Sequence, residues 1–286
     1  MSTTVAAKYV DAENRTLSAP NGVDYAYRVT GDSGTSPLVL LQHFRGNLDN
    51  WDPALIDALA RGRRVITFDN RGVAASSGTT PNTIAQMALD AIDFIDALEV
   101  GEVDLLGFSI GSFIAQEIAL VRPETVRKVV LASSAPQGAS GMHGWAPQVI
   151  GAVGKPETSG EEYLSVFFTD SEASRAAGQQ LLGRIFVARA VDRDMETNWQ
   201  TRLAQYDAVC AWGQNHPLLE RVSAIDKRVF VANGDSDPMI LPRYSYLLAG
   251  LIPDARLKIY PDSAHGFLFQ HHDEFAADLD AFLTGA

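Results

Sequence analysis

The sequence contains little cysteine, little positive charge and no long apolar stretch. One cysteine, Cys210, stands among 286 residues, which excludes an internal disulfide framework and a cysteine-based zinc cluster; we expect it to be buried. Lysine and arginine number 23 against 35 aspartates and glutamates, a formal net charge of −12. This deficit argues against nucleic acid as a partner, because nucleic-acid-binding proteins neutralise phosphates with basic patches. It argues equally against an anionic membrane surface.

Apolar stretches such as VVLA and LLG have the length of a strand, far below the roughly 20 residues of a transmembrane helix. The first residues, MSTTVAAKYVDAENR, contain neither the basic leader nor the apolar run of a signal peptide. We therefore expect a cytoplasmic protein with no membrane partner. Hydrophobic residues make up 46% of the chain and charged residues 20%, values typical of a globular protein that buries a large core.

Short apolar runs alternate with helical periodicity over most of the chain. The predicted strands are residues 23–29, 38–41, 64–68, 103–106, 126–132, 228–232 and 257–260, and the predicted helices are residues 53–60, 84–98, 109–120, 243–251 and 273–283. Strands that alternate with helices are typical of a parallel sheet covered on both faces. The sequence therefore predicts an α/β fold with a doubly wound, mostly parallel sheet.

The alternation is interrupted between residues 136 and 222. This segment has no buried-strand pattern, but it has helical patches at 175–189 and 199–212 and several aromatic residues. We interpret it as a helical cap, or lid, inserted between an N-terminal core part (1–135) and a C-terminal core part (223–286). Most of its aromatic side chains are expected to pack the cap onto the core.

The strongest chemical signal is the pentapeptide GFSIG at residues 107–111. By composition alone, a Gly-x-Ser-x-Gly string occurs by chance in roughly one chain in ten of this length. This one follows an apolar strand and opens an amphipathic helix, which is the setting of a nucleophile elbow. The two glycines are needed because such a sharp turn leaves no room for side chains beside the serine. Ser109, at the centre of the motif, is therefore the candidate nucleophile. The less specific interpretation is an ordinary strand-to-helix turn.

A serine nucleophile needs a base and an acid that orients the base. His265 follows the strand at 257–260, and loops after parallel strands converge on one edge of a sheet. His43 lies too early for the Ser, Asp, His order of this elbow class. The acid is expected after the strand at 228–232, where Asp237 is preferred because a proline follows it. Asp235 remains the alternative, and the other aspartate would then stabilise a turn.

With these residues the chain resembles the α/β-hydrolase superfamily from about residue 23 to its end. It is most similar to the cofactor-free esterase, haloperoxidase-like and enol-lactonase branch with a helical cap. The segment LVLLQHFRGNLDNW matches the strand, His-Gly-aromatic loop and tryptophan of that branch, except that Gln42 and His43 replace the His and Gly. The segment FDNRGVAAS resembles the family's Asp-x-Arg-Gly-x-Gly-x-Ser, with Ala74 in place of the second glycine.

The resemblance implies that the backbone N–H groups of Phe44 and Ile110 form the oxyanion hole, with the N–H of Arg45 as the alternative donor. It implies no cofactor and no metal. The residues expected nearest the serine, in a largely apolar pocket, are Phe44, Trp145, Met239, Ile240 and Phe267.

A serine at the elbow implies an acyl-enzyme, formed from an ester, lactone, thioester or activated amide. The expected function is hydrolysis of a carboxylic ester or lactone of a small apolar substrate. Perhydrolase or haloperoxidase-like chemistry and carbon–carbon bond hydrolysis use the same triad and remain alternatives. A small-molecule receptor with residual hydrolysis is a further alternative from another class. The sequence leaves substrate identity and oligomeric state open.

Overall fold

The computed structural model of the chain describes residues 8–32, 36–142 and 144–285. Over these residues the molecule is built on one eight-stranded sheet with the strand order β1-β2-β4-β3-β5-β6-β7-β8. The strands are β1 (Arg15–Ser18), β2 (Asp24–Thr30), β3 (Leu38–Leu41), β4 (Val65–Phe68), β5 (Val103–Phe108), β6 (Val126–Ala132), β7 (Arg228–Gly234) and β8 (Ala255–Tyr260). Strands β3 to β8 are parallel, whereas β1 and β2 pair antiparallel at one edge.

The central strands are buried on both faces. Every residue of β3, β4 and β5 is buried, which explains why these strands appear in the sequence as uninterrupted apolar runs. Helices flank the sheet, and two pairs of them pack together: Ile84–Ala97 with Ile110–Val121, and Pro53–Leu59 with His272–Thr284. Outside the insert the helices are α1 (Pro53–Leu59), α2 (Ile84–Ala97), α3 (Ile110–Val121), α8 (Pro242–Leu251), α9 (Phe267–Gln270) and α10 (His272–Thr284). The predicted α/β fold with a mostly parallel sheet is confirmed.

In the described part of the insert, four α-helices lie between β6 and β7. They are α4 (Pro147–Val153), α5 (Gly160–Phe167), α6 (Glu172–Phe186) and α7 (Trp199–Gln214), and a 3₁₀ helix (His216–Ala224) leads back to the sheet. Among the described residues of this insert there is no strand. Helices α6 and α7 correspond to the two predicted helical patches. Cys210, which we expected to be buried, is only partly buried on α7.

Strand β1 and the short helices α4, α5 and α9 were not expected from the sequence. Strand β1 is largely exposed, so it has no apolar run to reveal it. Helices α4 and α5 are short and lie among glycines and prolines, which mask their periodicity. In the described part of the chain, no helix combines the length and hydropathy that crossing a membrane requires.

Candidate active site

Ser109 occupies a sharp turn between β5 and α3. Its backbone has φ 57° and ψ −125°, a strained conformation for a residue with a side chain. A side chain on Gly107 would collide with the backbone of Gly111 and Ser112, and one on Gly111 would collide with the backbone carbonyl of Leu41. The two glycines of the motif therefore allow the helix to approach the sheet closely and the turn to form.

Hydrogen bonds fix the backbone on both sides of this serine. The N–H of Ser109 donates to the carbonyl of Ala132 on β6 at 3.0 Å. The hydroxyl of Ser112, in the first turn of α3, donates to the carbonyl of Ser109 at 2.5 Å. These bonds help to hold the strained turn, and Ser109 is placed at the carboxyl end of the sheet, where parallel α/β proteins bind their ligands.

His265 and Asp237 form a buried pair. The Nδ1 atom of His265 lies 2.8 Å from Oδ2 of Asp237, and both side chains are about 1% exposed. The other carboxylate oxygen, Oδ1, accepts the backbone N–H groups of Met239 and Ile240 at 2.8 and 2.9 Å. The carboxylate is thus satisfied by three donors, and it orients the imidazole with its Nδ1 protonated and its Nε2 free to act as a base.

Asp235, the alternative acid, lies elsewhere. Its carboxylate is exposed and accepts the backbone N–H groups of Asp262 and Ser263 at 3.0 and 3.3 Å. It therefore stabilises the turn after β8 and is not a partner of His265.

The histidine loop is attached to the insert. The N–H groups of His265 and Gly266 donate to the carbonyls of Val166 and Phe167, at 3.3 and 2.8 Å. The imidazole of His265 packs against the rings of Phe108 and Phe167, with centroid distances of 5.1 and 5.3 Å. The last residues of α5 therefore help to place His265.

A second histidine, His43, packs against the same two phenylalanines. Its ring centroid lies 5.3 Å from that of Phe108 and 5.4 Å from that of Phe167. Burial lowers the pKa of His43 to about 4, and the nearby His265 adds to the effect, so the ring is neutral at pH 7. Its Nδ1 lies 2.9 Å from the carbonyl oxygen of Phe44; because a carbonyl only accepts, Nδ1 carries the proton.

The expected oxyanion donors are the N–H groups of Phe44 and Ile110. Neither donates a hydrogen bond to another described residue, so both are available to a ligand. The N–H of Arg45, the alternative donor, is already bonded to Oε1 of Gln205 at 2.7 Å. The structure therefore favours Phe44 over Arg45 as the second donor.

A cavity of about 860 Å³ brings these groups together. From the core it is lined by Ser109, His265, His43, Phe44 and Met239, and from the insert by Tyr163, Phe167 and the segment around residues 156–160, among others. The lining also includes charged side chains of Arg45, Glu157, Arg193, Asp194 and Glu196. The expected apolar wall is thus mixed with polar groups, which no pattern in the sequence indicated.

Of the expected pocket residues, Phe44 and Met239 line the cavity, whereas Trp145, Ile240 and Phe267 are not among its lining residues. Trp145 packs against Phe44, and the centroids of the two rings are 4.9 Å apart. Phe267 is fully buried in the core. Ile240 contributes through its backbone, by donating to Asp237. Hydrophobicity along the sequence therefore does not give the direction of each of these side chains.

Within the described ranges, no three His, Cys, Asp or Glu side chains are grouped as metal ligands.

Asp69, in the FDNRG segment, is buried, and its carboxylate accepts the backbone N–H of Leu48 at 3.0 Å. Its burial and the neighbouring carboxylate of Asp194 raise its pKa well above the usual value. Ala74 stands where the resembling family has glycine, and it adopts a left-handed φ of 46°.

A family model described as the alpha/beta hydrolase fold matches residues 36–272. The chain belongs to the alpha/beta hydrolase family. A solved structure of an alpha/beta hydrolase fold protein from Chitinophaga pinensis superposes on this hydrolase with a TM-score of 0.92 at 39% sequence identity. The superposition covers 98% of this chain and 100% of the Chitinophaga chain. The resemblance inferred from the motifs is confirmed.

Two sequence relatives of this alpha/beta hydrolase differ in coverage. The BpoC protein of Mycobacterium tuberculosis is 39% identical over 102 residues, which are 35% of this chain and 39% of that protein. A non-heme chloroperoxidase of Streptomyces lividans is 25% identical over 287 aligned positions, covering 94% of this chain and 99% of that protein. The first match is thus confined to a segment, whereas the second extends over nearly the whole hydrolase.

Proposed function

We propose that this hydrolase cleaves a carboxylic ester or lactone through an acyl-enzyme on Ser109. One observation carries the proposal. Ser109, in its strained turn, lines the same cavity as His265, and His265 is hydrogen-bonded to the buried Asp237. This combination is the arrangement that activates a weak nucleophile by an oriented base. The mixed cavity lining supports a substrate that carries polar groups beside its apolar part.

In the proposed mechanism, Nε2 of His265 takes the proton of Ser109 as Oγ attacks the carbonyl carbon. Asp237 stabilises the imidazolium that forms. The N–H groups of Phe44 and Ile110 stabilise the oxyanion, and His265 then gives its proton to the leaving alkoxide. Water activated by His265 attacks the acyl-enzyme, the acid is released, and Ser109 regains its proton. Loss of one oxyanion donor typically lowers the rate by about 10²–10³-fold.

We further propose that residues 136–222 act as a lid over this site. Helix α5 contributes Tyr163 and Phe167 to the cavity wall, and the carbonyls at its end bind the loop of His265. Substrate selection would therefore reside in the insert, because the insert forms the part of the wall that faces the core residues.

Perhydrolysis is a second candidate, since the Streptomyces relative that covers nearly the whole chain is named a non-heme chloroperoxidase. In that reaction hydrogen peroxide replaces water in the attack on the acyl-enzyme and a peracid leaves. Bromination of a dye that requires peroxide, a carboxylic acid and Ser109 would support it. Ester hydrolysis without such bromination would limit the activity to hydrolysis.

The proposal is tested with p-nitrophenyl acetate and butyrate, followed by labelling with a fluorophosphonate and intact mass measurement. We expect turnover of at least one ester, complete loss of turnover on labelling, and one adduct per chain. Ser109→Ala should abolish both turnover and labelling while the circular dichroism spectrum is unchanged.

Ser112→Ala is the matched control, because this buried serine lies three residues away and donates to the Ser109 carbonyl. It should keep the ability to be labelled. An adduct that persists in Ser109→Ala, or wild-type turnover by that variant, would overturn the assignment. An adduct without turnover of any ester would favour the receptor alternative.

A further inference from the structure

Two buried polar side chains, Asn233 and Ser133, lie at the ends of neighbouring strands. Asn233 is near the end of β7, Ser133 follows β6 directly, and both are 0% exposed. The hydroxyl of Ser133 donates to Oδ1 of Asn233 at 2.9 Å. Neither residue is among those that line the cavity. Because burial of a polar group is unfavourable unless it is hydrogen-bonded, the other partners of this pair show what it holds in place.

The side-chain amide of Asn233 is held at three points. Its Oδ1 accepts the hydroxyl of Ser133 and also the backbone N–H of Gly234, the latter at 2.8 Å. Its Nδ2 donates to the backbone carbonyl of Ile240 at 2.9 Å. Since a backbone N–H only donates and a carbonyl only accepts, these contacts determine which atom of the amide is the oxygen. The amide is therefore fixed in one orientation.

The bond to Ile240 closes the acid loop, residues 234–240. Asn233 precedes this loop and binds its last residue, so both ends of the loop are fixed. The N–H groups of Met239 and Ile240 donate to Oδ1 of Asp237. Ile240 thus binds Asn233 through its carbonyl and Asp237 through its N–H, and only its own Cα separates the two groups. By holding Ile240 in place, Asn233 also holds the donors that fix the carboxylate.

The same pair contacts the histidine loop, residues 261–266. The hydroxyl of Ser133 lies 3.3 Å from the backbone carbonyl oxygen of His265. Gly234, the neighbour of Asn233, packs directly against this loop, since a Cβ on Gly234 would lie 2.3 Å from the carbonyl oxygen of Ser263. The end of β7 therefore contacts the acid loop and the histidine loop at once.

We propose that Asn233 is a positioning residue that, together with Ser133, sets the separation of Asp237 and His265. The proposal rests on the function proposed above, in which this pair activates the serine. Without the Asn233 amide, the carbonyl of Ile240 loses its donor, the acid loop is free to shift, and the carboxylate moves with its N–H donors. The bond of 2.8 Å between Oδ2 of Asp237 and Nδ1 of His265 then lengthens, and the imidazole is less often in its working orientation.

The test replaces Asn233 by leucine, which has the same branching and no polar atom. We expect Asn233→Leu to lower kcat for a p-nitrophenyl ester by about 10- to 100-fold, since small displacements of reacting groups have effects of this size. KM should stay within about threefold, because Asn233 does not line the cavity. Ser133→Ala leaves the bond to Ile240 in place and should lower kcat by a smaller factor.

Proton NMR of protein labelled with ¹⁵N-histidine separates positioning from a general loss of structure. Hydrogen bonds to a carboxylate are short, and the proton in a short hydrogen bond resonates far downfield. The resonance of the His265 Nδ1 proton is identified by its absence in His265→Gln. It should move upfield in Asn233→Leu as the bond lengthens. A lower kcat with this resonance unchanged would mean that Asn233 does not position the pair, and would overturn the proposal.

Thr67→Val is the matched control for the loss of a buried hydrogen bond. Thr67 is 1% exposed on β4, and its hydroxyl lies 3.2 Å from that of Tyr9, outside both loops. This variant should keep the kcat and the resonance of the wild type. An equal upfield shift in Thr67→Val would assign the effect to loosening of the whole core and would contradict the proposal.

If Asn233→Leu does not fold, Asn233→Ala removes the same donor without added volume and should show the same shift and the same loss of kcat. Wild-type kcat and an unchanged resonance in a folded Asn233 variant would overturn this inference alone. A wild-type protein that neither labels nor turns over would overturn the proposed function. The two failures are distinguishable because the resonance is measured without turnover.

Discussion

Two aspartates lie just after strand β7, within a few residues of each other, and their side chains meet different partners. Asp237 accepts from His265 and from two backbone N–H groups. Asp235 accepts backbone N–H groups of the turn after β8. The same chemical change at these two positions therefore tests which of the two carboxylates the proposed reaction requires.

Asp237→Asn should lower kcat by about 10³–10⁴-fold, because an amide no longer holds the base in its working tautomer. Asp235→Asn should leave kcat within about threefold of the wild type, because its carboxylate only orders a turn. Steady-state hydrolysis of a p-nitrophenyl ester measures both. A larger loss in Asp235→Asn than in Asp237→Asn would reverse the assignment.

At the residue scale, the sequence predicts the positions that local rules determine and misses those that depend on side-chain direction. Ser109, Asp237 and His265 can be proposed because each follows a parallel strand in a fold that brings strand ends together. Trp145 and Phe267 are expected at the cavity wall on hydrophobicity alone, which does not tell a cavity wall from a core. Gln205 carries no signal at all, because its partner is a backbone N–H 160 positions away.

At the scale of elements, buried strands were predicted to within a few residues, because a strand covered on both faces must be apolar throughout. Strand β1 was missed because its residues are mostly exposed, so nothing distinguishes it from a loop. The short helices α4 and α5 were missed because their stability comes from packing and not from periodicity. The insert is visible in the sequence only as an interruption of the pattern.

Glycine at two positions shows how closely an element is packed. Gly111, in the first turn of α3, lies against the carbonyl of Leu41 on the neighbouring strand. Gly183, inside α6, has open space at the place that a side-chain methyl would take, apart from its own chain neighbours and helix backbone. The first glycine is required by the fold, whereas the second lowers the stability of its helix.

Gly183→Ala should raise the free energy of unfolding by about 0.5–1 kcal/mol, the usual gain in a helix interior. Gly111→Ala should lower it by about 1–3 kcal/mol or more, because α3 must move away from the sheet. It should also lower kcat, since α3 begins directly after Ser109 and its displacement shifts the turn that carries this serine. Urea unfolding and ester hydrolysis test the pair; a stable, fully active Gly111→Ala protein would contradict the packing argument.

At the scale of the whole molecule, stability depends on pH through groups that change pKa on folding. Burial lowers the pKa of His43 from about 6.5 in the unfolded chain to about 4. Below pH 6.5 the unfolded chain therefore binds a proton that the folded protein does not, and stability falls as the pH drops toward 4. Asp69 acts in the opposite sense, because its raised pKa favours the folded state at low pH.

Replacing His43 by asparagine isolates the first of these effects. Asparagine keeps an N–H donor on a short side chain but cannot titrate, so the variant should lose about 2–3 kcal/mol less stability than the wild type between pH 7 and pH 4.5. Asp69 and the surface carboxylates are common to both proteins and cancel in the comparison. Urea unfolding at the two pH values measures the difference. Equal losses in the two proteins would mean that the imidazole of His43 is hydrated and titrates normally, which its burial between Phe108 and Phe167 does not allow.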